Sequence, residues 1–296
     1  GGRRPAGGGG AARGGAAPPP PIPGILPAME RIVAFDIETI PDLAAGRALL
    51  GDEAGELDDA ALRARLGARY ARDGQDPATA FLKPPLHALA CLALLVAERD
   101  GAEEPWRVRR MAARHVGETA EAEILGLFER SIAQRPAPML LGFNTSGFDL
   151  PVLRYRAIAT GVAMPSLHGG NGRDYGYRYG RDHLDLADRL SGFRASPMPS
   201  LAEACALIGL TAKAGMDGAE VEPAMAAGRG AEVAEYCETD VAATWLLALR
   251  YWQATGALGA DAARHSFAAF AEFLAEHRAT PAFAVHREVA ARLACG

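Results

Sequence analysis

Two acids separated by one residue close a short apolar run at Phe35-Asp36-Ile37-Glu38-Thr39. Side chains alternate faces along a strand, so Asp36 and Glu38 point the same way. Charge at the end of a buried strand needs a partner, and a divalent cation would supply one. A strand running out into solvent explains the pair as well. A third acid, Asp149, stands in Gly142-Phe143-Asn144-Thr145-Ser146-Gly147-Phe148-Asp149-Leu150-Pro151, where an apolar strand gives way to a tight loop and then a helix. It occupies the position expected of an N-cap, and capping alone would account for it. The third segment reads Glu235-Tyr236-Cys237-Glu238-Thr239-Asp240-Val241. Tyr236 and Asp240, spaced i, i+4, share one helix face. Val233, Val241, Thr244 and Trp245 bury that helix at least in part. An acid beside an apolar face suits a metal or base role; a Tyr–Asp surface pair is the plainer alternative.

Weaker signals surround these three. Residues 173–181 interleave Tyr175, Tyr177 and Tyr179 with Arg173, Arg178 and Arg181. Single-stranded nucleic acid is held in that manner, by bases on rings and phosphates on arginines. A glycine-rich loop packing its tyrosines on the sheet would look the same. His183 and Asp185 share a face of a short strand, where a structural hydrogen bond is the expectation for Asp185. Lys213, before Gly215, stands out in a chain whose basic residues are nearly all Arg. Trp245 reads as core, and Cys237 as buried and inert.

The elements that must position these residues follow from periodicity. Residues 31–35 and 139–143 read as buried strands, and 42–83 as one or two short helices. Residues 87–97 and 106–111 form an antiparallel pair about a turn at Asp100-Gly101. Helical spacing runs through Ile124, Leu127 and Phe128 within 118–134, and again over 150–160, with Pro151 in its first turn and Gly161 after its end. Residues 165–182 are a loop, 183–186 a last short strand, and 200–209, 230–252, 258–276 and a C-terminal piece are helical. The order predicts an α/β sheet of mixed direction with a helical C-terminal part.

Composition narrows the function classes. With 31 basic and 36 acidic residues the net charge is −5, which excludes a uniformly basic nucleic-acid coat but not a local basic channel. No CxxC pair links Cys91, Cys205, Cys237 and Cys295, so a zinc ribbon or thioredoxin-type site is not expected. Scattered cysteines suit a reducing compartment, hence a cytoplasmic protein. The longest apolar run, 88–97, is half of a membrane span of roughly 20 residues. Residues 1–28 are a Gly-, Pro-, Ala- and Arg-rich tract without a signal-peptide core, expected to be a disordered tail or to precede the true start at Met29.

In chain order, Asp-x-Glu, Asn-x4-Asp and Tyr-x3-Asp resemble the DEDD exonuclease superfamily in its Tyr-containing (DEDDy) branch. Within it, the sequence resembles the predicted 3′–5′ exonucleases related to the proofreading domain of family B DNA polymerases. The stretches FDIETIPD, GFDLPVLRYRA, HLDLADRLSGF, SLAEACALIGL, KAGMDGAEV and YCETDVAATWLL carry the resemblance across about residues 30–250. It implies a ribonuclease H-like fold, a mixed five-stranded sheet with flanking helices. Asp36, Glu38, Asp149 and Asp240 match the metal-binding acids, and Tyr236 the residue that positions the attacking water. Two Mg²⁺ or Mn²⁺ ions, about 3.5–4 Å apart in typical two-metal sites, would assist removal of nucleoside 5′-monophosphates. Thr39, Asn144, Phe148, Tyr177 and Arg178 are the expected substrate contacts. The loop reads Asn144-Thr145-Ser146-Gly147 where the family pattern has Gly-Arg after the Asn, so it offers no basic side chain.

The implied substrate is a single-stranded 3′ end, DNA first, in repair or proofreading in trans. An exoribonuclease, or an adaptor that binds without cleaving, are the rivals. The expected division is a tail (1–28), a DEDDy domain (29–255) and a C-terminal helical extension (256–296).

Overall fold

A computed structural model describes residues 29–210 and 216–296. The expectations for the 1–28 tail and for Lys213 and Gly215 lie outside the described residues. The strands are β1 (Glu30–Pro41), β2 (His87–Arg99), β3 (Arg107–His115), β4 (Met139–Gly142) and β5 (His183–Asp185). They form one sheet in the order β3-β2-β1-β4-β5. β2 is antiparallel to β1 and β3, whereas β4 pairs in parallel with β1 and with β5. This strand order and mix of directions, with helices on both faces, is ribonuclease H-like. They are α1 (Leu43–Leu50), α2 (Asp59–Gly67), α3 (Glu121–Ile132), α4 (Asp149–Thr160), α5 (Leu186–Leu190), α6 (Leu201–Ala206), α7 (Val221–Ala226), α8 (Gly230–Ala254), α9 (Ala260–His277) and α10 (Ala284–Cys295).

Alternation along β1 sorts its side chains between two cores. Val33, Phe35 and Ile37 join Ile124, Leu125, Phe128 and Ile132 of α3 and Leu150, Val152 and Leu153 of α4. Leu127, expected on that face, is only half-buried, and Leu125 and Ile132 are buried with Ile124 and Phe128. Ile32 and Ala34 face the other way, toward α8. Asp36 and Glu38 continue that second series, so the pleat aims both acids at α8.

Their cross-strand partners on β2 are Ala93 and Cys91, small residues that leave α8 room to approach. Register shifts between Glu38 and Thr39, a bulge of the kind that re-aims side chains beside sites. β1 runs on to Pro41 because β2 pairs it that far, so the acids lie inside the strand and not at its end. The parallel ladder to β4, by contrast, stops at Ala34.

α9 and α10 complete the α8 side of the sheet. Phe267, Phe270, Phe283 and Leu293 share a core with Trp245, and Trp106, Trp245 and Trp252 pack ring to ring. Trp245 is thus core, as expected. Arg278, just after α9, pairs with Glu238 of α8 at 2.8 Å and donates to the Met111 carbonyl of β3. The short helices α5 and α7 carry no periodicity that the sequence could reveal. Among the described residues no helix is long and apolar enough to cross a membrane.

Candidate active site

β1 presents Asp36 and Glu38 to α8, and α8 answers with Tyr236, Cys237 and Asp240. The Cys237 thiol lies 3.4 Å from Asp36 Oδ2, and one donor atom each from Asp36, Glu38 and Cys237 fall within 4.8 Å of one another. Burial pushes the Asp36 carboxyl well above the usual carboxylate range, and the charges of Asp149, Glu38 and Asp240 push it further. The four sequence-matched acids therefore share one electrostatic neighbourhood.

Asp149 does not cap its helix. Phe148 is the N-cap residue, with φ −137° and ψ −63°, and Asp149 is the first helical residue. That backbone turns the carboxylate away from the helix end and onto β1. Beyond Ala34, β1 has no β4 partner, and Asp149 Oδ1 accepts the freed Ile37 N–H at 3.2 Å. Burial raises the Asp149 carboxyl to about 7, opposed by the backbone N–H groups of Asp149 and Ile37 and aided by Asp185.

Tyr236 is buried one turn before Asp240 and hydrogen-bonds it. Burial, then the charges of Asp240, Glu38 and Asp36, hold its hydroxyl far above the ordinary tyrosine range, so it stays protonated. Cys237 is buried as expected, and burial raises its thiol as well. Its contact with Asp36 is not visible in a sequence that merely places it beside Tyr236. The donor set fits hard divalent cations. Carboxylate oxygens are what Mg²⁺ and Mn²⁺ select, and acids that raise one another's pKa call for positive charge.

The expected substrate contacts fare unequally. Thr39 Oγ1 lies 2.8 Å from His87 Nδ1, while His87 Nε2 lies 3.1 Å from the Leu82 carbonyl. A carbonyl only accepts, and burial lowers the His87 pKa, so Nε2 carries the proton and Nδ1 accepts from Thr39. The Thr39 oxygen keeps its lone pairs for other donors. Phe148 sits with His87 and Phe81, ring centroids 5.0 and 5.3 Å away. Phe81, 66% exposed, extends this aromatic wall and was missed because a lone Phe between helix and strand carries no pattern.

Asn144 takes a left-handed φ of 61°, and its backbone N–H donates to Asp185 Oδ1 at 2.8 Å. Tyr177 is 58% exposed, whereas Tyr175 is core and hydrogen-bonds the Pro138 carbonyl. Tyr175 thus packs on the sheet, whereas Tyr177 and Tyr179 stay exposed. Arg178 is already paired with the buried carboxylate of Asp188. The Asn144–Gly147 loop offers no basic side chain, as its sequence implies; Thr145 is spent on His183 Nε2 at 2.8 Å. Arg194, from the α5–α6 loop, nevertheless lines a cavity with Ser146 and Gly147, and nothing local in the sequence signals it.

Asp185 has the structural role expected of it. It accepts backbone N–H groups from Asn144, Ser146, Ala187 and Asp188, fixing the loop before Asp149 and capping α5. Asp185→Ala is expected to cost about 3 kcal/mol, since buried donors would be left unmet. Urea unfolding checks this, with Asp185→Asn recovering part; a loss under about 0.5 kcal/mol would mean the loop is held by other contacts.

A family model described as "Predicted 3′-5′ exonuclease related to the exonuclease domain of PolB" matches residues 79–289. A search of curated proteins finds no match. Among solved structures, the family B DNA polymerase from the hyperthermophilic archaeon Pyrobaculum calidifontis aligns with a TM-score of 0.45 and 18% identity. The alignment covers 83% of this chain and 29% of that polymerase.

Proposed function

The chain belongs to the family of predicted 3′–5′ exonucleases related to the exonuclease domain of PolB, and we propose that it is a divalent-metal-dependent enzyme of the DEDDy type. It removes nucleoside 5′-monophosphates from the 3′ end of single-stranded nucleic acid, DNA in the first place. The observation that carries this reading is Asp36, a half-buried carboxyl surrounded by the charges of Asp149, Glu38 and Asp240. In this proposal residues 29–255 are the catalytic domain and 256–296 an extension. The enzyme works in the cytoplasm, in repair or in proofreading for a separate polymerase. Four free cysteines suit that compartment.

Asp36, Glu38, Asp149 and Asp240 would hold two Mg²⁺ or Mn²⁺ ions, which when bound supply an activated water and charge stabilisation at the reacting phosphate. Tyr236 cannot be the base, because its hydroxyl stays protonated; it orients the attacking water through a hydrogen bond. Thr39, Asn144 and Phe148 hold the terminal nucleotide, the half-buried Phe148 and exposed Phe81 offering a face for base stacking. Tyr177 and Arg178 lie along the path of the strand.

One digestion assay tests the proposal. With 5′-labelled single-stranded DNA or RNA, products shorten stepwise from the 3′ end in Mg²⁺ or Mn²⁺ and not in EDTA. A shortening that survives EDTA, or none on either polymer, overturns it, and faster loss of RNA reassigns the substrate to RNA. Tyr236→Phe is expected to lower kcat by roughly 10²-fold, with metal-induced stabilisation intact, because one orienting hydrogen bond is lost and no ligand is. A Tyr236→Phe rate within a factor of two of wild type would remove the tyrosine from the mechanism.

A further inference from the structure

Beside the carboxylate cluster lies a cavity of about 110 Å³, lined by Ser146, Gly147 and Leu150 at the start of α4 together with Arg154, Arg178 and Arg194. Three separate stretches of chain bring those guanidinium groups to one small volume. Arg178 is neutralised by Asp188. Among the described residues, neither Arg154 nor Arg194 has an acidic partner. The Ser146 hydroxyl oxygen is buried and has no hydrogen-bond partner among the described residues. An anion would satisfy that unmet hydroxyl together with the half-buried Arg154 and the exposed Arg194.

The local backbone is built around this arrangement. Gly192, Phe193 and Arg194 follow one another at φ 60°, 58° and 72°. Two non-glycine residues in that region are costly and persist only where neighbours fix them. Here Phe193 N–H donates to the Asp188 carbonyl at 2.6 Å and Arg194 N–H to Ser191 Oγ at 3.1 Å. At Gly147 a Cβ would sit 2.6 Å from Asn144 Oδ1 and 2.8 Å from Arg194 Nη2, so a side chain there would crowd both. The cavity adjoins the cluster through the chain itself, since Gly147 and Leu150 flank Phe148 and Asp149.

We propose that this cavity is a phosphate subsite that holds one internucleotide phosphodiester of the bound strand, next to the reacting end. The inference rests on the exonuclease reading and deepens it. Guanidinium groups and a hydroxyl donor match phosphate oxygens, and a position beside Asp149 suits a linkage near the one being cut. The same chemistry would suit the monoester of a released nucleotide, so the test separates the two.

The test is binding of a short 5′-fluorescein-labelled oligothymidylate to the full chain, read by anisotropy in EDTA. Arg194→Ala and Arg154→Ala are each expected to weaken binding about tenfold. Each should also lower the slope of log K against log salt by about 0.7. Arg264→Ala on α9, whose partner is Asp261, changes neither. Oligonucleotides carrying one uncharged methylphosphonate at each linkage in turn locate the contact. One linkage is expected to matter to the wild type and not to Arg194→Ala. Wild-type affinity in both arginine variants, or strictly additive effects at every linkage, overturns the proposal. Displacement by thymidine monophosphate with no linkage effect overturns the strand assignment in favour of a monoester site. The readout needs no turnover, so its failure leaves the digestion result standing, and a missing 3′ ladder leaves the linkage effect standing.

Discussion

Asp36→Asn protein is expected to fold, to melt a few degrees above wild type without divalent cations, and to lose at least 10³-fold in 3′–5′ degradation. Both effects have one cause. In the wild type the half-buried Asp36 carboxyl lies among three other acids, each of which raises its pKa. That crowding disfavours the ionised cluster until cations are bound, and cation binding is what the proposed chemistry needs. The amide keeps the shape and removes one negative charge, so the metal-free fold gains what the chemistry loses. Differential scanning fluorimetry in EDTA reads the first effect and the labelled-oligonucleotide assay the second. A variant of intact fold that retains near wild-type rate would end the metal-cluster reading.

The second large effect is a pH dependence that divalent cations reverse. Asp149 titrates at about 7 in the folded protein against 3.8 for an ordinary aspartate, and Asp36 is raised in the same direction. An acid whose folded pKa is raised holds its proton longer in the folded state. Its contribution is intact at low pH and is lost as pH rises through the folded value. His183 and His286 act in the opposite sense, because burial lowers each to about 4 from 6.5. The unfolded chain binds their protons first, so stability is lost as pH falls below about 6.5. Between about pH 4 and 6.5 the two acids and the two histidines oppose each other, so metal-free protein should hold its stability there and lose it above about pH 6.5, where only the acids still titrate.

Cation binding requires ionised carboxylates and releases protons. The rise in Tm on adding Mn²⁺ or Mg²⁺ should therefore be larger at pH 8 than at pH 6, where part of the cluster is protonated. Thermal melts across pH 5–8, with and without Mn²⁺, check both halves. A Mn²⁺ shift independent of pH would mean that the buried acids are not what the ion binds.

Much of this arrangement can be read from residues in order. The apolar runs of β1, β2 and β4 and the spacing of α3, α4 and α8 are local patterns, and local patterns survive folding. The three acid-bearing segments stand out because strand alternation and the i, i+4 rule already put Asp36 with Glu38 and Tyr236 with Asp240. What escaped depends on backbone geometry that residue types do not announce. Asp149 looks like an N-cap until the unusual φ and ψ of Phe148 shift the cap by one residue. The continuation of β1 past Phe35 depends on how far β2 follows it. Arg194 reaches its cavity only through three successive left-handed residues, two of them residues that rarely adopt that conformation. Cys237 meets Asp36 only because Ala93 and Cys91 are small enough to let α8 come close.

The contact between β1 and α8 has a consequence for the order of events while the chain is being made. Asp36 and Cys237 touch across 201 residues of sequence. When β5 leaves the ribosome, the whole sheet and two of the three acid-bearing segments have been synthesised, yet Tyr236 and Asp240 do not exist. The half-built sheet must wait with its α8 face bare, an exposed apolar surface that a nascent chain has to protect. α8 then arrives, and Arg278, later still, ties Glu238 to β3. The carboxylate cluster is thus among the last features to assemble, and a ribosome stalled before residue 230 would hold a sheet with no competent centre.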